Sequence, residues 1–246
     1  MRRIVLLTLL FTFATSAQLS PKEADAIVPV VGSTRGQSNA NFKTELQLHN
    51  PTSQQITGWL IFHPMGQPAA ETDPVLRYDL AAHATRAYAD VLAHLGATGL
   101  GSLDVFVDRG TLPTVVARAY DDQTTGTTGV TVPLVPSSAV LARAAIASLI
   151  APRDTTRFRF NVGVRSLGDG ATLRIVTRNA AGTQRHFRAV TYASNFFEQA
   201  PGNVFAGIAL DANDSIAIEI TAGSAIVYAT SVDNQTNDSS LQLLRR

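Results

Sequence analysis

The sequence predicts an all-β chain: two tandem β-sandwich domains made by internal duplication, following a cleaved signal peptide. Three observations predict this. Apolar residues recur with a period of two in segment after segment. Turn signals built from Gly, Pro, Asn and Asp separate these segments at close spacing, with no amphipathic helix of ten or more residues between them. Patterns in the first half also return in the same order in the second.

The chain opens on MRRIVLLTLLFTFATSAQ. Arg2 and Arg3 form a positive leader, Ile4 to Phe13 is an apolar run, and Thr15-Ser16-Ala17 supplies the small residues that a signal peptidase needs. The run is shorter than the roughly 20 residues that span a bilayer as a helix. The reading is a signal peptide over residues 1–17, with Ala24-Asp25-Ala26 as an alternative cleavage site. A secreted or periplasmic protein is expected, with no membrane insertion after cleavage.

The chain has no cysteine, which excludes a disulfide scaffold, a thiolate metal site, a cysteine nucleophile and a lipid anchor on cysteine. Stability must therefore come from the core alone, for which the length suffices. Two of the 20 basic residues lie in the leader, and the rest nearly balance the 19 acidic ones. Lysine occurs only at positions 22 and 43, and no basic run exists, so nucleic acid is not an expected partner.

The first domain is expected over residues 27–135. IVPVVG opens it. In FKTELQLH, Phe42, Thr44, Leu46 and Leu48 fall on one face, and Lys43, Glu45, Gln47 and His49 on the other, so this is a strand with one buried face. Asn50-Pro51-Thr52-Ser53 turns the chain, ITGWLIFH is the next strand, and His63-Pro64-Met65-Gly66 is a further turn. In Tyr88-Ala89-Asp90, the aspartate is placed to cap a short helical turn ahead of Val91 and Leu92. SLDVFVD, TVVARAY and VTVPLV complete the set. Pro133-Leu134-Val135-Pro136-Ser137-Ser138 is a short, stiff link to the second domain.

The second domain is expected over residues 137–246. AVLARAAIASLI reads as a strand or strand pair, with a helix as the compositional alternative. FRFNVGVR alternates like FKTELQLH, leaving Arg159 and Arg165 outward with Arg174 and Arg178 as a solvated polar face. Leu167-Gly168-Asp169-Gly170 reads as a turn, ATLRIVTR as a strand and Asn179-Ala180-Ala181-Gly182 as the next turn. Phe158 matches Phe42 and Gly182 matches Gly66 at the same separation. Tyr192-Ala193-Ser194 repeats Tyr88-Ala89-Asp90, and SIAIEIT repeats SLDVFVD. About seven short strands per copy is the count of an immunoglobulin-like sandwich.

The stretch AYDDQTTGTTG has the most chemical look. It returns as Ser231-Val232-Asp233-Asn234-Gln235-Thr236. Asp121, Asp122, Asp233 and Asn234 are the candidate metal ligands, because calcium takes carboxylate and amide oxygens. The spacing lacks the alternation of a calcium loop. Adjacent strand residues also point to opposite faces, so Asp121 and Asp122 do not form a catalytic pair. Asp122 becoming Asn234 argues for turn-fixing side chains in a strand-to-strand connection. No metal or cofactor is expected.

Of the five histidines none has metal-ligand spacing, and His49 and His63 are placed on outward faces. No G-x-S-x-G elbow occurs. Trp59, the only tryptophan, falls opposite the core phase with Ile61; it either contacts a ligand or is covered by the protein itself.

The motifs VPVVGSTRG, FKTELQLHNPTSQQITGWLIFHPMG, LAAHATRAYADVL, GLGSLDVFV and ARAYDDQTTGTTG, taken in order, resemble an uncharacterised class of secreted bacterial tandem Ig-like β-sandwich domains. These are often appended to extracellular enzymes or surface proteins. The resemblance implies fold and location and carries no catalytic residue. The expected function is non-enzymatic: binding or structure at the cell exterior, with a protein or polysaccharide partner. The alternatives are a periplasmic chaperone-like protein that pairs a sheet edge with a client strand, and a hydrolase using loops between the domains.

Overall fold

Period-two alternation becomes strand after strand because each segment has one apolar row to bury and a turn residue to end it. The computed structural model of the protein describes residues 23–124, 126–202 and 204–244. The expected signal peptide lies outside them. The chain is nearly all β, arranged in two antiparallel sheet systems. Among the described residues no helix is long and apolar enough to cross a membrane.

The first system uses β1 (Ala26–Arg35), β2 (Asn41–His49), β3 (Ile56–Pro64), β4 (Val75–Leu80), β5 (Thr85–Tyr88), β6 (Gly99–Arg109), β7 (Thr114–Gln123), β8 (Gly126–Val132) and β9 (Val135–Pro136). The strand order is β4-β3-β6-β1-β2-β7-β8, with β5 on β2 and β9 on β1. β1 joins two layers. It pairs with β6 over most of its length and with β2 only at Thr34 and Arg35. Its register shifts between Val28 and Val31, around Pro29, where a missing N–H suits a bulge. Between β5 and β6 the helical turn α1 (Val91–His94) forms, capped by Asp90, whose Oδ1 accepts from the Leu92 and Ala93 N–H groups. Val91 and Leu92 are buried, as the apolar pair behind the cap requires.

The second system uses β10 (Leu141–Ala142), β11 (Ile146–Ile150), β12 (Phe158–Arg178), β13 (Gln184–Tyr192), β14 (Phe197–Pro201), β15 (Ser215–Asp233) and β16 (Ser239–Leu243). Within residues 139–150, Ala139 ends a single 3-10 turn and the rest holds two strands, both paired with β15, in place of an α-helix. The expected turn at Leu167–Gly170 is not a strand-to-strand connection. β12 runs through it, with a register shift between Leu167 and Ala171. β15 likewise runs through Gly223, joining two segments that the sequence separates. Gly170 and Gly223 face each other with positive φ, and a Cβ on Gly223 would strike the Gly170 carbonyl. Two long strands therefore bend together where neither carries a side chain.

The pairings recur between the two systems. β2 lies between β5 and β7, and the first half of β12 lies between β14 and the second half of β15. β3 lies between β4 and β6, and the second half of β12 lies between β13 and the first half of β15.

One apolar core fills the first half around Leu46, Leu60, Phe62, Tyr78 and Val105. Phe197 and Tyr228 of the second half belong to it as well. A second core surrounds Val162, Leu173, Ile175, Ile218 and Val227. A third, small cluster joins the halves through Ile27 and Val135 on one side and Leu167 and Ile226 on the other. Gly163 sits beneath the fully buried Tyr228 ring, where any Cβ would collide with it. The Tyr228 hydroxyl donates to Gln199 Oε1 at 2.8 Å, and burial pushes its pKa well up.

Candidate functional site

The acidic stretch lies partly inside a strand. Asp121, Asp122 and Gln123 are the last residues of β7 and not part of the connection, because Phe42 and the start of β8 extend the ladder past them. As alternation requires, the two carboxylates point opposite ways. Asp121 is buried, and Asp122 is half-buried and meets Lys43 Nζ at 2.6 Å. That hydrogen bond raises the Lys43 pKa.

Asp121 Oδ1 accepts from the Asn41 N–H at 2.6 Å and from Gln123 Nε2 at 2.7 Å. Its Oδ2 accepts from Asn237 Nδ2 of the second half at 3.0 Å. Asp233 closes β15 as a turn-fixing residue: its Oδ1 accepts from the Gln235 and Thr236 N–H groups, and its Oδ2 from Arg157 Nε at 2.9 Å. The Gln235 bond, then Arg157, hold its carboxyl down to about 2. Asn234 donates from Nδ2 to the Thr156 carbonyl.

The two stretches meet. Besides the Asn237–Asp121 bond, Ser38 Oγ donates to the Asn234 carbonyl and Thr128 Oγ1 to the Thr236 carbonyl. Asp121 and Asp233 therefore spend both carboxylate oxygens on backbone, amide and cationic donors, and Asp122 spends one on Lys43. Among the described residues no group of three or more His, Cys, Asp or Glu gathers in a metal-holding arrangement.

A denser polar cluster lies elsewhere on the junction, and two of its members, His63 and Arg165, are residues that sequence reading placed outward. Arg165 is fully buried and His63 is 6 % exposed, because the outer face of β12 packs against the first half. Arg165 Nη2 reaches both oxygens of Asp104, at 3.0 and 2.9 Å. Its Nε donates to Ser102 Oγ at 2.7 Å, and its Nη1 to the Ser166 carbonyl and to Asn195 Oδ1. Asp104 Oδ2 also meets His63 Nε2 at 3.0 Å, and His63 Nδ1 meets Asp73 Oδ2 at 2.6 Å. Each ring nitrogen thus lies within hydrogen-bonding distance of a carboxylate. Burial pushes the Asp104 carboxyl up, but Arg165 and His63 outweigh it and hold it below the ordinary carboxylate value.

Ser102, His63 and Asp73 share the composition of a hydrolytic triad but not its geometry. The base nitrogen must face the serine. Here His63 Nε2 faces Asp104, and the Ser102 hydroxyl is bound by Arg165. The cluster fastens one half to the other. His63 and Arg165 were visible in the sequence only as polar residues on the outward faces of strands, with nothing local to signal their burial.

Trp59 is half-buried, with the Arg77 guanidinium 5.4 Å from its ring centroid across the β3–β4 ladder.

Between the halves lies a cleft of about 170 Å³. Its walls come from both layers of the first half and from the outer face of β12, β14, β15 and β16. Sequence reading missed it, since neither half contains it alone. Neither a protein-family model nor a curated protein matches the chain.

Proposed function

We propose that this is a secreted or periplasmic, non-enzymatic binding or structural protein that presents two firmly joined β-sandwiches to a protein or polysaccharide. The single observation carrying this is the junction cluster. The side chains best suited to chemistry, His63, Asp73, Asp104, Ser102 and Arg165, are committed to one another and hold the halves in a fixed relation. Such a body suits recognition across its surfaces and the cleft between its halves. The leader and the resemblance to secreted tandem Ig-like domains support the location, and the recurring strand pairings support an origin by duplication.

A second reading, capture of a client strand at a sheet edge, draws on β13. Among the described residues this nine-residue strand pairs only with β12. Arg185 and Arg188 on it are the charges that guard an open edge.

The test incubates the chain from residue 18 onward with insoluble cell-wall polysaccharides and with purified envelope proteins, measuring retention and product release. Saturable retention without soluble products is expected. Release of reducing ends or cleaved peptides would establish the hydrolase reading instead. Binding to extended peptides alone, abolished by a proline in β13, would establish edge pairing.

A further inference from the structure

We infer that the cleft between the halves is a binding site for a small neutral molecule: one ring-sized apolar body bearing a hydrogen-bond donor and an acceptor, as a primary carboxamide does. The inference rests on the non-enzymatic binding reading and gives it a ligand class.

Size sets the body. At about 170 Å³ the cleft is far below the roughly 300 Å³ at which drug-sized pockets begin. It is close to the ~150 Å³ at which an apolar cavity accepts a benzene ring. The walls set its polarity. Val30, Leu100, Ala119 and Val130 come from the first half, with Phe42 beside them and Val232 opposite.

Two amides set the hydrogen-bonding pattern. Gln199 Oε1 is fixed as an acceptor by the Tyr228 hydroxyl at 2.8 Å, which leaves its Nε2 as a donor. Asn161 Nδ2 donates to Thr230 Oγ1 at 3.3 Å, which leaves its Oδ1 as an acceptor. Both residues line the cleft, and neither remaining atom has a partner among the described residues. A ligand with one acceptor and one donor completes both.

Charge excludes the ionic relatives. Two cations line the cleft, and both are engaged. Lys43 is held by Asp122 at 2.6 Å. Arg159 turns to Asn237 Oδ1 at 2.7 Å and to Asn234 Oδ1, with the Asp121 and Asp233 carboxylates acting on it through space. A carboxylate ligand would have to compete with Asp122 for Lys43, and with the Asn234 and Asn237 amides for Arg159 in the field of the Asp121 and Asp233 carboxylates. A cationic ligand would meet Lys43 and Arg159 at the wall.

The probes are three isosteres: benzamide, benzoate and benzamidinium, titrated into the chain from residue 18 onward by calorimetry and thermal unfolding. Benzamide is expected to bind saturably and raise Tm by about 3–6 °C at ten times its Kd. The two ions are expected to bind at least about tenfold more weakly. Ala119→Phe fills the cleft and should abolish the response, and Val130→Phe does so from another strand should the first fail to fold. Gln199→Leu should weaken benzamide about tenfold while leaving the wall intact.

No saturable response to benzamide overturns the proposal, as does tighter binding of either ion or an unchanged response in a folded Ala119→Phe. These outcomes separate from those of the function test. Retention on a polysaccharide or envelope protein with no benzamide binding sinks the ligand class alone. Soluble products released from a polymer sink the binding reading.

Discussion

Replacing Arg165 by Met removes the centre of the junction. The side chain is fully buried and gives up five hydrogen bonds: two to Asp104 and one each to Ser102, Ser166 and Asn195. Methionine fills much of the same volume, so the main effect is electrostatic. Asp104 stays buried at 4 % exposure with His63 as its one remaining side-chain partner among the described residues. Removing one member of a buried ion pair costs about 3–5 kcal/mol, mostly from the stranded charge. For a chain of this length that lowers Tm by roughly 6–20 °C. The assay is urea and thermal unfolding of wild type, Arg165→Met, Asp104→Asn and the double variant. The amide introduced by Asp104→Asn keeps an acceptor for His63 but carries no charge, so the double variant should lose about 1–3 kcal/mol less than the sum of the singles. The halves should also unfold in one transition in wild type and in separate transitions in Arg165→Met. A single Arg165→Met loss under about 1 kcal/mol, or additivity within about 0.5 kcal/mol, refutes the junction argument.

Three further outcomes test the rest. Asp121→Asn should cost about 1–3 kcal/mol, because a buried acceptor of three hydrogen bonds loses its charge, while Asp122→Asn stays within about 0.5 kcal/mol at the surface; equal losses in urea unfolding would contradict the opposite orientation of the two. Calcium should leave Tm unchanged, since both oxygens of Asp121 and of Asp233 already accept hydrogen bonds and Asp122 points away from Asp121; a saturable rise of several degrees in a calcium titration would reverse that. Asp233 is held at about 2 when folded, below its ordinary value of about 4, so its contribution is complete above about pH 4 and is lost as pH falls through 2. Asp233→Asn should flatten the acid limb of the stability profile in that window, and an unchanged limb would place the acid sensitivity on other carboxylates.

Much of the fold was legible because it is local. Alternation in FKTELQLH and FRFNVGVR selects the residues that become the cores, and Asp90 caps the short helix at the place its sequence indicates. The turn at Leu167–Gly170 was not legible as a bend. Glycines that end a strand and glycines that kink one have the same composition, and the choice depends on whether the facing strand bends too. Gly223 opposite Gly170 is what permits it.

The acidic stretch was half legible. Alternation foretold that Asp121 and Asp122 diverge. Nothing in one segment tells that Asp121 receives an amide from the other end of the chain.

By itself the sequence determined an all-β chain, because strand periodicity and turn chemistry are properties of neighbouring residues. It also determined which face of each strand is apolar. Only the tertiary structure decided what covers the polar faces. His63 and Arg165 obey strand alternation and still end up buried, since the outer face of β12 meets the first half. Burial between two bodies follows from how their surfaces fit. That fit is summed over residues far apart in the chain, so no local pattern carries it, and the cleft exists only once the halves have met.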